Sequence, residues 1–375
     1  SDLIGQSWAA GSEPDMTYRY NCYACKIWSA IAQTECFLAR EVPEYRDSAL
    51  VIARNVCDGI ISHSQGPDAP LAYFPPTYYY AQQGGGVTGV LNYNQGNTMF
   101  LEAVFAARAL LDFYDICGEQ KYFDHALGIA RTYQKLQAED GSWPVKVKYD
   151  TAESVVSARC MPCNILHLAN RLKVQYGVCG FEEMTARAED WLWENPLKTY
   201  DFSGQFEDVS VEDKVPYQNL THCVVGDCID YLLGKPEPDQ EELKASIEMA
   251  RFCEDQFVRW HSSVERDADA LSATEGVFSS PFAFEQYVWQ NPVDASIAKL
   301  ADDWLHIYVR TGDMLSLAKA KAMADTLVKI QDPETGSMPT IPDSDRRFEI
   351  NEIWANCAYY SISTLMWIDS ILSGE

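Results

Sequence analysis

The sequence predicts an all-α fold, an (α/α)6 toroid or six-hairpin barrel, formed by residues 1–375 as a single domain. Three observations lead to this prediction. Segments that resemble buried helices alternate with amphipathic segments, short connections alternate with long ones, and one helix-and-loop sequence occurs twice. The last outer helix is predicted to be missing or short, because the sequence ends after the sixth buried segment.

The predicted inner ring consists of six segments that are poor in charge and rich in Ala, Leu, Ile, Tyr and Cys. The six segments are Thr17–Arg40, Thr98–Cys117, Glu153–Gly177, Pro216–Gly234, Val293–Arg310 and Arg347–Leu372. Five amphipathic segments form the predicted outer ring: Pro43–His63, Gln120–Gln137, Phe181–Asn195, Gln240–Trp260 and Asp313–Gln331. An open α-solenoid is the alternative, and the near-complete burial of the first helix of each pair argues against it.

The connections indicate which end of the ring carries function. Each buried helix leads to its amphipathic partner through a few residues containing Gly or Pro. Long loops lead to the next buried helix: Ser64–Gln95, Ala138–Thr151, Pro196–Val215, His261–Pro292 and Asp332–Arg346. Long loops often carry binding and catalytic residues, and helix N-termini present free N–H groups. We therefore expect the site on the long-loop rim.

An internal repeat supports the hairpin pattern. The segment 135–144 (KLQAEDGSWP) resembles the segment 329–339 (KIQDPETGSMP). The two lie about 190 residues apart, which is a whole number of hairpins.

Charge and composition narrow the partners. The chain has 29 basic and 55 acidic residues, a net charge of −26, which argues against nucleic acid or anionic membranes bound through a basic surface. No apolar run is long enough for a membrane span, and no presequence is recognised. The compartment is left open, either cytoplasmic or periplasmic/secreted after removal of a presequence. The pairs Cys22/Cys25 and Cys160/Cys163 have metal-like spacing but lack supporting His residues, so neither a metal nor another cofactor is expected.

The long-loop rim is rich in residues that bind sugars. Aromatic rings stack on the C–H faces of pyranoses, and amides or charged groups bond the hydroxyl or carboxyl groups. An oligosaccharide or polysaccharide fragment is therefore the expected partner. The candidate substrate-binding residues are Tyr93, Asn97, Trp143, Arg159, Tyr217 and Trp289. The alternative for each aromatic residue is that it packs its loop onto the barrel.

Candidate catalytic residues follow from position. Asp150 and Glu153 are predicted at the start of the third inner helix, where helix capping is their alternative role. Glu207 lies in the third long loop, and His222 is predicted about two turns into the fourth inner helix. We expect Asp150 to act as general acid or base, with Glu153, Glu207 and His222 as possible partners.

The stretch Asn97–Trp143 resembles the hairpin of the six-hairpin glycosidase superfamily in the spacing of Tyr114, Gly118, Tyr122, Ala126 and Ala130. The pattern is nearest to the unsaturated glucuronyl and rhamnogalacturonyl hydrolases. That resemblance implies aspartates near the starts of the second and third inner helices. Asn97-Thr98 occupies the first position in this chain, and Asp150 lies near the second.

The sequence thus predicts a carbohydrate-active enzyme, a glycoside hydrolase that acts on an oligosaccharide by carboxylate acid/base catalysis, with uronic-acid-containing oligosaccharides among the candidate substrates. One alternative is a toroidal polysaccharide lyase using His222 and Tyr217. The other is a toroid that binds glycans without turning them over.

Overall fold

The computed structural model describes residues 24–77, 96–202, 221–260, 281–286, 292–342 and 354–374. The chain divides into two compact units. The first unit comprises Ser1–Thr199 with Phe206–Asp213, and the second comprises Tyr200–Gln205 with Lys214–Glu375. Each unit is described by itself below.

The described residues of the first unit form seven helices and one two-stranded antiparallel sheet. The helices are α1 (Ala24–Glu41), α2 (Arg46–His63), α3 (Ala103–Cys117), α4 (Gln120–Lys135), α5 (Cys163–Tyr176), α6 (Glu182–Glu194) and the short α7 (Pro196–Thr199). Short 3-10 turns, Pro43–Tyr45 and Phe100–Glu102, precede α2 and α3, and the strands are β1 (Asn97–Met99) and β2 (Lys146–Lys148).

The described residues of the second unit continue the helical alternation. Its helices are α8 (Cys223–Gly234), α9 (Gln240–Phe257), α10 (Asp294–Thr311), α11 (Met314–Ile330) and α12 (Ala355–Ser373), and its strands are β3 (Val258–Arg259) and β4 (Phe282–Ala283). All the inner and outer helices predicted from periodicity are present in these ranges, so the all-α class is confirmed.

Burial and turn chemistry follow the predicted pattern. Helix α3 buries residues around most of its circumference, whereas α4 buries one face and leaves residues such as Lys121 in water. The turns after α3 and α10 place Gly118 and Gly312 at φ 69° and 71°. This left-handed conformation favours glycine and lets the chain reverse within a few residues.

Two inner helices begin later than predicted. Thr98 lies in β1, which pairs antiparallel with β2, and α3 begins only at Ala103. Glu153 also precedes its helix, because α5 begins at Cys163. The physical reason is that the chain after β2 turns back on itself in a β-hairpin, residues 146–155: the Lys148 N–H donates to the Glu153 carbonyl at 2.8 Å. An N–H or carbonyl used across strands is unavailable to a helix.

The repeated segment has the same local structure in both units. In the first, the Gln137 side-chain amide donates to the Gly141 carbonyl at 2.9 Å. In the second, the Gln331 amide donates to the Gly336 carbonyl, also at 2.9 Å. Both glycines have positive φ, 88° and 71°. The internal repeat is therefore structural as well as sequential.

No helix among the described residues is long and apolar enough to cross a membrane.

Candidate functional site

In the first unit, the predicted residues Asn97, Asp150 and Glu153 gather at one hairpin. Asn97 in β1 is paired with Lys148 in β2, and Asp150 lies in the exposed turn directly after β2. Glu153 is exposed and forms an ion pair with Lys148 at 2.8 Å. This hydrogen-bonded partner lowers the pKa of Glu153. A carboxyl with a lowered pKa is ionised at neutral pH and is poorly suited to act as a general acid.

Trp143 and Arg159 lie on two backbone segments that pair with each other, since the Cys160 N–H donates to the Trp143 carbonyl at 2.9 Å. Trp143 is fully buried, and its indole N–H donates to the Tyr133 carbonyl at 2.9 Å. The backbone of Arg159 pairs with Pro144, and its side chain interacts electrostatically with Asp140. Packing of the loop onto α4 accounts for the position of Trp143, so we leave it out of the site proposed below.

Four further predicted residues, Glu207, Tyr93, Tyr217 and Trp289, lie outside the described residues.

In the second unit, His222 occupies the N-cap position of α8 rather than a point two turns into the helix. Its ring is fully buried, packs edge-on against Phe257 and has Nε2 3.9 Å from the Cys223 sulfur. Nδ1 has no hydrogen-bond partner among the described residues. Burial, with a contribution from Lys299, lowers the pKa of His222 to about 3. The imidazole is therefore neutral at physiological pH, and its low pKa makes it a weak base.

Sequence reasoning missed Asp294, the first residue of α10. Its carboxyl is buried, and Oδ2 accepts a hydrogen bond from the Ser361 hydroxyl at 3.1 Å. Oδ1 has no partner in the part of the chain that the structure describes. Burial raises the pKa of Asp294 to about 8, with Glu285 adding to the increase. Asp294 is therefore a neutral carboxylic acid at pH 7 with one unused oxygen.

A short segment, residues 281–286, brings Glu285 to both groups. The Val293 N–H, just before α10, donates to the Ala283 carbonyl at 3.2 Å. Gln286 forms an antiparallel bridge with Thr221, just before His222. Glu285 thus acts electrostatically on both His222 and Asp294. We call His222, Glu285, Asp294 and Lys299 the α10 cluster.

A second group of acids lies about two turns beyond Asp294 along α10. Burial raises the pKa of Asp302 to about 8 and that of Asp303 well above its ordinary value. Asp303 packs against Gly226 of α8, where an added Cβ would lie 3.0 Å from its Oδ1. Asp230 on α8 pairs with His306 at 3.0 Å. No group of three or more His, Cys, Asp or Glu side chains in the described ranges is arranged to hold a metal ion.

The sequence did carry a signal for Asp294: an acidic residue two positions after Pro292, at the end of a long loop. Such a residue usually caps a helix in water. Its burial depends on Ser361, 67 positions away, and on Thr340, whose carbonyl accepts the Asp294 N–H at 2.9 Å. Sequence spacing alone does not reveal those partners.

Comparisons with known proteins agree on the architecture. No protein-family profile and no curated protein sequence matches the chain. Among solved structures, a cellobiose 2-epimerase from Spirochaeta thermophila matches with a TM-score of 0.62 at 13% identity, over 99% of this chain and 95% of that one. A family 76 α-mannanase from Bacteroides thetaiotaomicron matches with a TM-score of 0.58 at 15% identity, over 94% and 88%. An unsaturated glucuronyl hydrolase specific for heparin matches with a TM-score of 0.55 at 10% identity, over 99% and 98%.

These three proteins belong to the six-hairpin glycosidase superfamily. The chain has the (α/α)6 toroid fold of that superfamily. The predicted fold class and the predicted resemblance are therefore confirmed. At 10–15% identity the likeness establishes the fold, and the activities in those names belong to those proteins.

Proposed function

We propose that the chain is a carbohydrate-active enzyme, a glycoside hydrolase acting on an oligosaccharide, with Asp294 as its general acid. The observation that carries the proposal is a buried carboxyl, protonated at neutral pH, with one oxygen unused among the described residues. The solved structures with this fold include two glycoside hydrolases, an α-mannanase and an unsaturated glucuronyl hydrolase. Both support a carbohydrate as the substrate.

Hydrolysis of a glycosidic bond needs a proton for the leaving oxygen. A carboxyl with a pKa of about 8 holds its proton at pH 7, and Oδ1 of Asp294 is not committed to a described hydrogen bond. The Ser361 hydroxyl fixes the other oxygen at 3.1 Å and so orients the acid. Asp294 begins α10, two positions after the segment His261–Pro292 that the sequence predicts to be a long loop, at the rim where the sequence predicts the site.

The second role requires a carboxylate, and we assign it to Glu285. Glu285 is half-exposed and interacts electrostatically with Asp294. As a base it would take a proton from water attacking the anomeric carbon, while Asp294 gives its proton to the departing oxygen. As a nucleophile it would form a glycosyl ester that water then hydrolyses. The separation of the two carboxyl groups decides between these routes.

His222 supports a second candidate function. Its neutral imidazole, with Nδ1 unpartnered among the described residues, would take a proton from carbon in the first step of β-elimination or of epimerisation, and its pKa of about 3 makes it a weak base for that step. A lyase or an epimerase built on His222 would use the same cluster without hydrolysis. The solved structures with this fold include a cellobiose 2-epimerase, so epimerisation is the reaction to test first.

The deciding experiment compares Asp294→Asn with Asp150→Asn on a panel of oligosaccharides, following products by chromatography and NMR. Loss of the general acid should lower kcat by about 1,000-fold in Asp294→Asn, whereas Asp150→Asn should change it by less than about threefold. Each variant removes one carboxyl group, so the two are matched in charge. A melting temperature close to that of wild type shows that a variant is folded.

The outcomes separate the alternatives. A collapse of turnover in Asp150→Asn with little change in Asp294→Asn would return the acid role to Asp150. A product with a new double bond, or an epimer without bond cleavage, would favour His222 chemistry. Glycan binding without any product would leave the chain as a binding protein.

A further inference from the structure

We propose that Trp354, the N-cap residue of α12, is a stacking platform for the sugar ring next to the glycosidic bond that Asp294 protonates. The proposal rests on the hydrolase function above and adds a substrate-binding residue to the same site. It comes from the exposure of the Trp354 ring, from the packing of α12 against the start of α10, and from a threonine that holds both residues.

Trp354 differs from the tryptophans that pack the core. It is 38% exposed, and its ring makes no aromatic contact, cation–π contact or hydrogen bond within the described ranges. By contrast, the buried Trp143 donates its indole N–H to the Tyr133 carbonyl, and Trp304 packs against Trp260 with 5.3 Å between ring centroids. A tryptophan ring with an open face and a free indole N–H is available to a ligand.

Helix α12 packs its first turns against the start of α10. Cys357 contacts Val293 and Ala295, the two residues that flank Asp294 in the sequence. One turn further along α12, the Ser361 hydroxyl donates to Oδ2 of Asp294 at 3.1 Å. One side of α12 therefore lies along the acid.

Trp354 lies at the open end of that side. The Cys357 N–H donates to the Trp354 carbonyl at 2.9 Å, so Trp354 is one turn before Cys357 and about two turns before Ser361. Residues at these spacings share one side of a helix. Exposure along it rises from 0% at Ser361 and 3% at Cys357 to 38% at Trp354. The side that contacts Asp294 thus reaches solvent at the tryptophan.

Thr340 connects Trp354 to the acid directly. Its carbonyl accepts the Asp294 N–H at 2.9 Å, and its hydroxyl accepts the Trp354 N–H at 2.8 Å. Because one fully buried residue makes both contacts, the backbone nitrogens of Asp294 and Trp354 lie within about 10 Å of each other. That span is comparable with the length of a disaccharide. A sugar ring stacked on Trp354 can therefore belong to the residue next to the bond that Asp294 protonates.

Tryptophan suits this role chemically. The C–H face of a pyranose packs against the flat indole, and the indole N–H can donate to a ring hydroxyl. Neutral sugars and uronates both present such a face. Trp354 would therefore contribute affinity for the sugar ring itself, and it would bind the ground state and the transition state about equally.

The test compares Trp354→Leu with Trp354→Phe. Both variants keep an apolar side chain before α12, but only phenylalanine keeps an aromatic face. The probes are mannotetraose, cellotetraose, maltotetraose and tetragalacturonate. For each probe that wild type hydrolyses, we expect KM to rise about tenfold in Trp354→Leu and less than about threefold in Trp354→Phe. In both variants kcat should stay within about twofold of wild type, because uniform binding energy changes KM and leaves kcat.

Two further pairs of variants control for packing. Trp193→Leu makes the same change at a partly exposed tryptophan of the outer helix α6 and should leave KM unchanged. Thr340→Val removes the hydroxyl that accepts the Trp354 N–H, whereas Thr340→Ser keeps it. We expect KM to rise by about threefold in Thr340→Val and to stay at the wild-type value in Thr340→Ser.

The outcomes separate this inference from the function on which it rests. Wild-type KM values in both Trp354 variants, with product still formed, would overturn the inference and leave the hydrolase intact. Equal increases of KM in Trp354→Leu and Trp354→Phe would also overturn it, because they would indicate packing rather than stacking. Release of no product from any probe, or from the wider oligosaccharide panel, would overturn the hydrolase proposal and the inference with it.

Discussion

In the first unit, Asp150 and Glu153 lie exposed at a hairpin, and Glu153 is paired with Lys148 at 2.8 Å. In the second unit, Asp294 lies buried at the start of α10 with one carboxyl oxygen unused among the described residues. Asp150 lies near the end of one predicted long loop and Asp294 lies just after another, so their positions along the chain are comparable. Their environments differ, and burial rather than position makes a carboxyl available as an acid at neutral pH.

The buried acids also bear on stability. The first unit has Glu35, whose pKa burial raises to about 7, and the second has Asp294 and Asp302, each raised to about 8, with Asp303 raised as well. Because these folded-state pKa values exceed the unfolded ones, the folded state binds protons more tightly. The stability they contribute is fully present below about pH 4 and is lost as the pH rises through about 8.

The largest expected effect is therefore a pH-dependent loss of stability in the second unit. For Asp294 alone the change between pH 4 and 8 is on the order of 5 kcal/mol, an upper estimate. Amide hydrogen exchange should show protection of α10 falling over this range more than protection of α3. In Asp294→Asn, the protection of α10 should fall less over the same pH range. Equal declines in the two helices would contradict the difference between the units.

The next effect uses the repeated turn. An alanine Cβ at Gly141 would lie 2.2 Å from the Arg187 carbonyl oxygen, whereas at Gly336 the nearest atom, Nε2 of Gln331, is 3.8 Å away. Gly141→Ala should cost about 3 kcal/mol or more from strain and overpacking, and Gly336→Ala about 1 kcal/mol from left-handed strain alone. Urea unfolding of both variants measures the loss in the free energy of unfolding. Similar losses of stability in the two variants would mean that the two turns leave equal space for a Cβ atom.

The smallest effect concerns the exposed pair in the first unit. Glu153→Gln removes its ion pair with Lys148, and fully solvated pairs contribute little. We expect no measurable change in melting temperature and no change in turnover, with Lys148→Met as the matched variant from the other side. A clear loss of activity in both variants would restore the hairpin as part of the catalytic site.

The sequence was sufficient for most of the fold because helix patterning and turn chemistry are local. Gly118 and Gly312 mark the ends of two helices, and both adopt the left-handed conformation that their positions predict. The start of α3 was wrong because Thr98 is paired with Val147, a contact between residues far apart in sequence. The start of α5 was wrong because Glu153 pairs with Lys148 across a tight turn. The acid was missed for the same reason as the start of α3, since Ser361 lies 67 positions from Asp294.

The central claim is that Asp294 is a neutral acid at pH 7. Infrared difference spectra of wild type against Asp294→Asn, with isotopically labelled aspartate, measure its protonation directly. We predict a protonated-carboxyl band at pH 7 that disappears with a midpoint near pH 8. An ionised Asp294 at pH 7, titrating near the ordinary aspartate value, would contradict it.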